Sequence, residues 1–96
     1  SVSQIIRSGK FFTGSTVVSS SGHNYVRLWT DAQFKATFGR NYDGAKDYVG
    51  IMNGAGKDNG ANPYCASHWY GDGVYAYFDR SFSGPIRLNY LVILAP

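Results

Sequence analysis

The stretch that most restricts what this chain can fold into is its close. Ile86, Leu88, Tyr90, Val92 and Leu94 alternate with Arg87, Asn89, Leu91 and Ile93. A period of two places successive side chains on opposite faces of a strand and fits no helix. The strand begins with one apolar face and ends with two, which predicts that its end is covered on both sides, in a sandwich interior or at a subunit contact. A second alternating run precedes it, with Val74, Ala76 and Phe78 on one face and Tyr75, Tyr77 and Asp79 on the other. Between the two runs, Arg80-Ser81-Phe82-Ser83-Gly84-Pro85 supplies turn residues.

Upstream, Tyr64-Cys65-Ala66-Ser67-His68-Trp69-Tyr70 leads through Gly71-Asp72-Gly73 into the Val74 run. Two aromatic-rich runs around Gly-Asp-Gly read as a β-hairpin, its glycines accepting the positive φ that such turns require. Shorter strands are predicted at Tyr48–Met52, at Asn24–Trp29 and, nearer the N-terminus, at Gln4–Ile6, Phe11-Phe12 and Thr16–Val18, split by Gly9 and Gly14. Asn53–Pro63 has almost no apolar side chain and reads as a long loop. One segment breaks the pattern. Thr30-Asp31-Ala32-Gln33 is a capping box, Phe34 and Phe38 lie four apart on one face, and Gly39 stands where a helix would end. The absence of Glu, with four Leu and one Met, leaves few strong helix formers, whereas eight Tyr and six Phe suit half-buried strands. The fold class expected is all-β: a small antiparallel β-sandwich with one short helix over 31–38, forming a single domain across residues 1–96.

Charge and cysteine usage narrow the function classes. Nine Lys and Arg against six Asp give a net charge of +3. The basic residues are spread along the chain rather than gathered, so a nucleic-acid partner is not expected. No run approaches the roughly 18 apolar residues of a membrane span, so no membrane insertion is expected. The single Cys65 excludes an internal disulfide framework and reads as a small core residue. His23 lies in a predicted turn, and two isolated histidines make a poor zinc site. Asp58-Asn59-Gly60-Ala61-Asn62 lacks the alternating carboxylates of a calcium loop. No metal and no cofactor is expected.

An enzyme is not expected either. Glycoside cleavage usually needs two carboxyl groups at a set separation, yet each of the six Asp reads as a turn, helix-start or surface residue. Cys65 and His68, three apart on a strand, point to opposite faces and cannot act as nucleophile and base.

The aromatic residues are more informative. Tyr64, Ala66, His68 and Tyr70 share one side of the first hairpin strand; Cys65, Ser67 and Trp69 share the other. If Val74, Ala76 and Phe78 face inward, Tyr75 and Tyr77 face solvent or a partner. Exposed Tyr and Trp rings stack on the apolar face of a pyranose while neighbouring Asp, Asn and His bond its hydroxyls. The same residues suit a subunit interface, and ordinary packing is the third possibility. The candidate ligand-binding residues are Trp69, Tyr70, Asp72, Tyr75 and Tyr77, with Tyr64 and His68 secondary. Trp69 and Tyr70 point to opposite faces, so at most one of them belongs to a given site. Trp29, between a strand and a helix cap, reads as core.

Three pieces of the sequence carry a resemblance: Leu28-Trp29-Thr30-Asp31-Ala32-Gln33-Phe34, then Met52-Asn53-Gly54 with its Asn-rich loop, then Phe82-Ser83-Gly84-Pro85-Ile86-Arg87-Leu88-Asn89-Tyr90-Leu91-Val92-Ile93. Together they resemble the C-terminal receptor- or glycan-binding module of bacteriophage tail spikes and tail fibres. The closing strand is also similar to the end of the H-type lectins, small trimeric β-sandwiches that bind sugars. The resemblance spans about Tyr25 to Leu94. It implies a non-catalytic module at the end of a longer chain, working as a homotrimer in an extracellular virion tail. Its implied partner is a bacterial surface polysaccharide, capsule or lipopolysaccharide. The alternative is a structural cap that holds a trimer together and binds no ligand. Where that family's pattern reads Asn-Gly-Asp, Asn53-Gly54 is followed by Ala55, which removes any role of that acid here. A start at Ser1 without Met, and an apolar closing strand, fit a piece of a larger protein.

Overall fold

The computed structural model describes residues 10–54, 60–69 and 71–96; the strand expected at Gln4–Ile6 lies outside them. Strand β1 (Lys10–Thr30) runs into helix α1 (Asp31–Phe38), followed by β2 (Tyr48–Asn53), β3 (Pro63–Trp69) and β4 (Gly73–Leu94). The described residues are all-β apart from that one short helix, and every strand pairing is antiparallel.

The two long strands set the architecture. β1 pairs with β4 along nearly its whole length, from Lys10 opposite Leu94 to Thr30 opposite Gly73. The last part of β4 also pairs with β2, and its first part with β3. One continuous sheet therefore has two three-stranded halves: β1–β4–β3 at the hairpin end and β1–β4–β2 at the chain's close. The register slips between them. His23 faces Phe82 and Tyr25 faces Tyr77, so one residue of β1 spans the same distance as four of β4. Extra residues on one strand bend it and sharpen its twist. At this corner the sheet folds over, and Phe78 meets Phe82 with ring centroids 4.7 Å apart.

Folding over brings the inner faces of the halves together. Ala76 and Phe78 from one half pack in a single cluster with Val18, Ile86 and Leu88 from the other. A second cluster joins Val74, Val92, Leu94 and Val49 to Phe34 and Phe38 of α1. The two layers of the expected sandwich are thus one sheet doubled on itself. Three predicted interruptions are absent. Gly14 and the Ser19–Asn24 stretch lie within the single strand β1, and Arg80–Pro85 lies within β4.

The helix forms as its local chemistry dictates. Thr30 Oγ1 accepts from the Gln33 amide at 3.0 Å, and the Gln33 side chain accepts from the Thr30 amide at 2.9 Å. Gly39, with φ 97°, ends it by donating its amide to the Lys35 carbonyl. Trp29 meets Phe34, Phe38 and Tyr90 edge to face, so α1 closes one end of the core.

A polar clamp fixes the chain's close. The Asp47 carboxylate is fully buried and takes two bonds of 2.7 Å from Arg40. It also accepts from the amides of Asp43 and Ala95, while Arg40 donates to the Ala95 carbonyl at 2.9 Å. Burial pushes the Asp47 pKa up; the Arg40 bonds and the two amides outweigh it, and the net shift is downward. At the corner, Asp79 accepts from the amide and side chain of Asn62 and donates its own amide to the Asn62 carbonyl.

Candidate functional site

The hairpin half of the sheet has an outer face, away from the core, and it is aromatic. Alternation places Tyr75 and Tyr77 of β4 there, because Val74, Ala76 and Phe78 are buried inside. Register then adds the neighbours. Tyr77 faces Tyr25 on one side and Cys65 on the other; Tyr75 faces Arg27 and Ser67. The ring of Trp69 lies 6.1 Å from Tyr77, Tyr77 lies 6.4 Å from Tyr25, and His23 stacks on Tyr25 at 5.1 Å. The result is a row of rings crossing three strands. Trp69 is 46% exposed and Tyr25 36% exposed.

The hairpin turn supplies the polar rim. Gly71 has φ 66°, the left-handed conformation the turn needs. Gly73 serves differently: a Cβ there would overlap the Trp29 carbonyl oxygen, so the glycine permits β1 and β4 to approach. This geometry holds Asp72 beside the sheet. Its Oδ2 accepts from the Tyr75 hydroxyl at 3.2 Å and from Arg27 at 3.5 Å, and its carbonyl accepts from the Asp31 amide at the start of α1. Partial desolvation raises the Tyr75 phenol pKa above its ordinary value, and the bond to Asp72 raises it further.

Four of the residues singled out from sequence therefore meet on one face: Trp69, Asp72, Tyr75 and Tyr77. Tyr75 differs from expectation in being only 9% exposed; with Tyr25 beside it and Asp72 on its hydroxyl, it supports the face more than it presents a ring. Tyr70 lies outside the described residues. Tyr64 and His68 lie elsewhere. Tyr64 borders a hollow between the β2 and β3 edges with Tyr42 and Val49. His68 Nε2 sits 2.9 Å from Asp31 Oδ1 and ties β3 to the helix. Cys65 is exposed rather than core, because the register shift between Pro63 and Cys65 sets it opposite Tyr77. Tyr25 and Arg27 were not singled out for this face. The signal was present, since both share one side of the Asn24–Trp29 run, but only the β1–β4 register brings them to the hairpin.

Among the described residues there is no group of three or more His, Cys or Asp that could hold a metal ion, and no helix is long and apolar enough to cross a membrane. Comparison of the chain with protein-family models, with curated proteins and with solved structures finds no match.

Proposed function

We propose that this chain is a non-catalytic carbohydrate-binding module that uses the outer aromatic face of its hairpin half. The observation that carries the reading is the exposure of Trp69 and Tyr25 on either side of Tyr77, with Arg27 and Asp72 at the rim. Exposed rings offer their faces to the C–H side of a pyranose, and a nearby cation and carboxylate bond its hydroxyls. The Asp72 carboxylate is already held by Tyr75 and Arg27, which suits orientation of a ligand better than proton transfer. The sequence resemblance extends the proposal: a homotrimeric receptor-binding module of a phage tail spike or fibre, in the extracellular virion, recognising capsule or lipopolysaccharide. Glycan-array binding by the wild type, lost in Trp69→Ala with folding intact, tests the reading. Clean negatives on capsule and lipopolysaccharide sugars count against it.

A structural trimer cap that binds no ligand is the second reading. Its support is the other half's outer face, where Phe11 and Tyr48 are both 54% exposed and flank Ile93. Sedimentation separates the two, since a stable monomer removes the cap and a trimer indifferent to sugars favours it.

A further inference from the structure

The outer face of the β1–β4–β2 half carries a second feature, built from none of the residues of the hairpin's aromatic face. Tyr48 and Gly50 share that face on β2, and the Tyr48 ring lies back along the strand over Gly50. A Cβ at Gly50 would sit 2.9 Å from the ring's Cε1 and hydroxyl oxygen, so glycine is what allows the ring to lie along the sheet. Beside it is a hollow of about 340 Å³ bordered by Tyr48, Gly50, Met52, Leu91 and Asn89. A second hollow, of about 390 Å³, is bordered by Ser15, Val17, Gly54, Arg87 and Asn89.

Asn89 belongs to both hollows, and the register sets Met52, Asn89 and Ser15 side by side across the three strands. Ser15 donates its hydroxyl to Asn89 Oδ1 at 2.7 Å, which fixes the amide and keeps the Asn89 N–H donors on the face. Arg87 is the one charged side chain bordering either hollow among the described residues. The Gly54 amide donates to the Arg87 carbonyl at 2.8 Å, anchoring that end of the groove. Four residue steps along β4 take the chain from Arg87 to Leu91, about 13 Å of strand, which matches a short oligosaccharide.

We propose that this groove is a second binding site, for an acidic oligosaccharide. One sugar ring lies on Tyr48, hydroxyls bond Asn89 and Ser15, and a carboxylate further along the chain meets Arg87. The mixed lining favours this occupant over a protein surface. An aromatic ring at one end, amide and hydroxyl donors in the middle and a cation at the other end follow the alternation of apolar faces, hydroxyls and carboxylate along an acidic glycan. The site goes beyond the hairpin reading and stands or falls separately from it.

The test is NMR titration of the full chain with trigalacturonic acid, a hyaluronan tetrasaccharide and neutral galactotriose at millimolar concentrations. An acidic probe is expected to shift the Met52 methyl and the Asn89 side-chain amide, binding roughly two- to fivefold tighter than the neutral probe, as an exposed ion pair permits. Arg87→Gln removes that preference, as does high salt; Tyr48→Leu weakens all three probes; Trp69→Ala leaves these shifts unchanged. Thermal unfolding of each variant checks that the fold persists. Shifts confined to Trp69 and Tyr25 overturn this proposal while sparing the hairpin reading, and no shift at all overturns it too. So does an oligomer in sedimentation that Met52→Glu disperses, because the face is then a contact between copies of the chain.

Discussion

Gly14 on β1 and Tyr90 on β4 stand directly opposite each other, and the Tyr90 ring fills the space a side chain at position 14 would need. From there the ring reaches Trp29, edge to face at 5.1 Å. A methyl group at position 14 would overlap the Tyr90 hydroxyl and push the ring off Trp29.

Gly14→Ala is therefore expected to destabilise the fold by about 1–3 kcal/mol, the usual cost of overpacking, although alanine in an ordinary strand position would stabilise. Urea unfolding of Gly14→Ala, Tyr90→Leu and the double variant checks it. The double variant should lose clearly less than the sum of the singles; strict additivity would mean that the two positions do not interact.

Acid is the second probe of the fold. Asp79 has its pKa lowered from 3.8 to about 2, chiefly by the amide and side chain of Asn62 and then by Arg80. Asp47 is also lowered, by Arg40 and two amides acting against its burial. In both cases the folded protein binds the carboxylate form more strongly than the unfolded chain does. The stability they contribute is complete above the ordinary value of 3.8 and is lost as pH falls through the folded value. Asp79→Asn should flatten the fall in stability between about pH 4 and about pH 2. Asp47→Asn should cost about 1.5–3 kcal/mol at neutral pH, because its buried bonds to Arg40 and Ala95 hold the chain's close. An unchanged pH profile in Asp79→Asn would contradict the first; unchanged neutral stability in Asp47→Asn, the second.

These relationships show why some elements were legible in the sequence and others were not. Every determinant of α1 lies within ten residues: the Thr30–Gln33 exchange, the Phe34–Phe38 spacing and Gly39. Gly14 reads as a strand break because the ring that explains it arrives from the far end of the chain. Arg80–Pro85 has the composition of a turn, yet β1 bends alongside it and keeps it in the sheet. The double apolarity after Tyr90 predicts burial, and Ile93 is buried, with Phe11 and Tyr48 opposite it on the two neighbouring strands. On the candidate site, period two put Tyr75 and Tyr77 on one face of their strand and Trp69 on the side away from Tyr64 and His68, leaving to the β3–β4 register which side joins the tyrosines. It could not pair them with Tyr25. The slip between Arg27 and Trp29 turns Trp29 inward, off the face that alternation alone would share with Tyr25 and in keeping with its place beside the helix cap.

His68 provides a test of that sorting. Its ring is engaged with Asp31, beside Tyr42 and off the aromatic face. His68→Ala should leave glycan binding unchanged and lower stability by no more than about 1 kcal/mol, as for a half-exposed polar pair. Loss of binding in a stably folded His68→Ala would place the ligand against β3 and α1 instead.

The two tryptophans give the clearest contrast. Trp29 contacts Phe34, Phe38 and Tyr90 where helix meets sheet, whereas Trp69 is 46% exposed and touches Tyr77 at the end of the aromatic row. Removing Trp29 leaves a cavity between α1 and both halves of the sheet, so Trp29→Ala should cost about 3–5 kcal/mol. Trp69→Ala should cost about 1 kcal/mol or less in stability, since most of its lost area already faces water. In binding the order reverses. Trp29→Phe, which keeps the core filled, should retain glycan affinity; Trp69→Ala should reduce it roughly tenfold or more, the effect of losing an aromatic anchor. Iodide quenching reports the same division without a ligand: the Trp29→Phe variant emits from Trp69 alone and quenches readily, and the Trp69→Phe variant emits from Trp29 and resists. If both variants quench alike, the two rings are equally open to solvent and the assignment of one to the core and the other to the site fails.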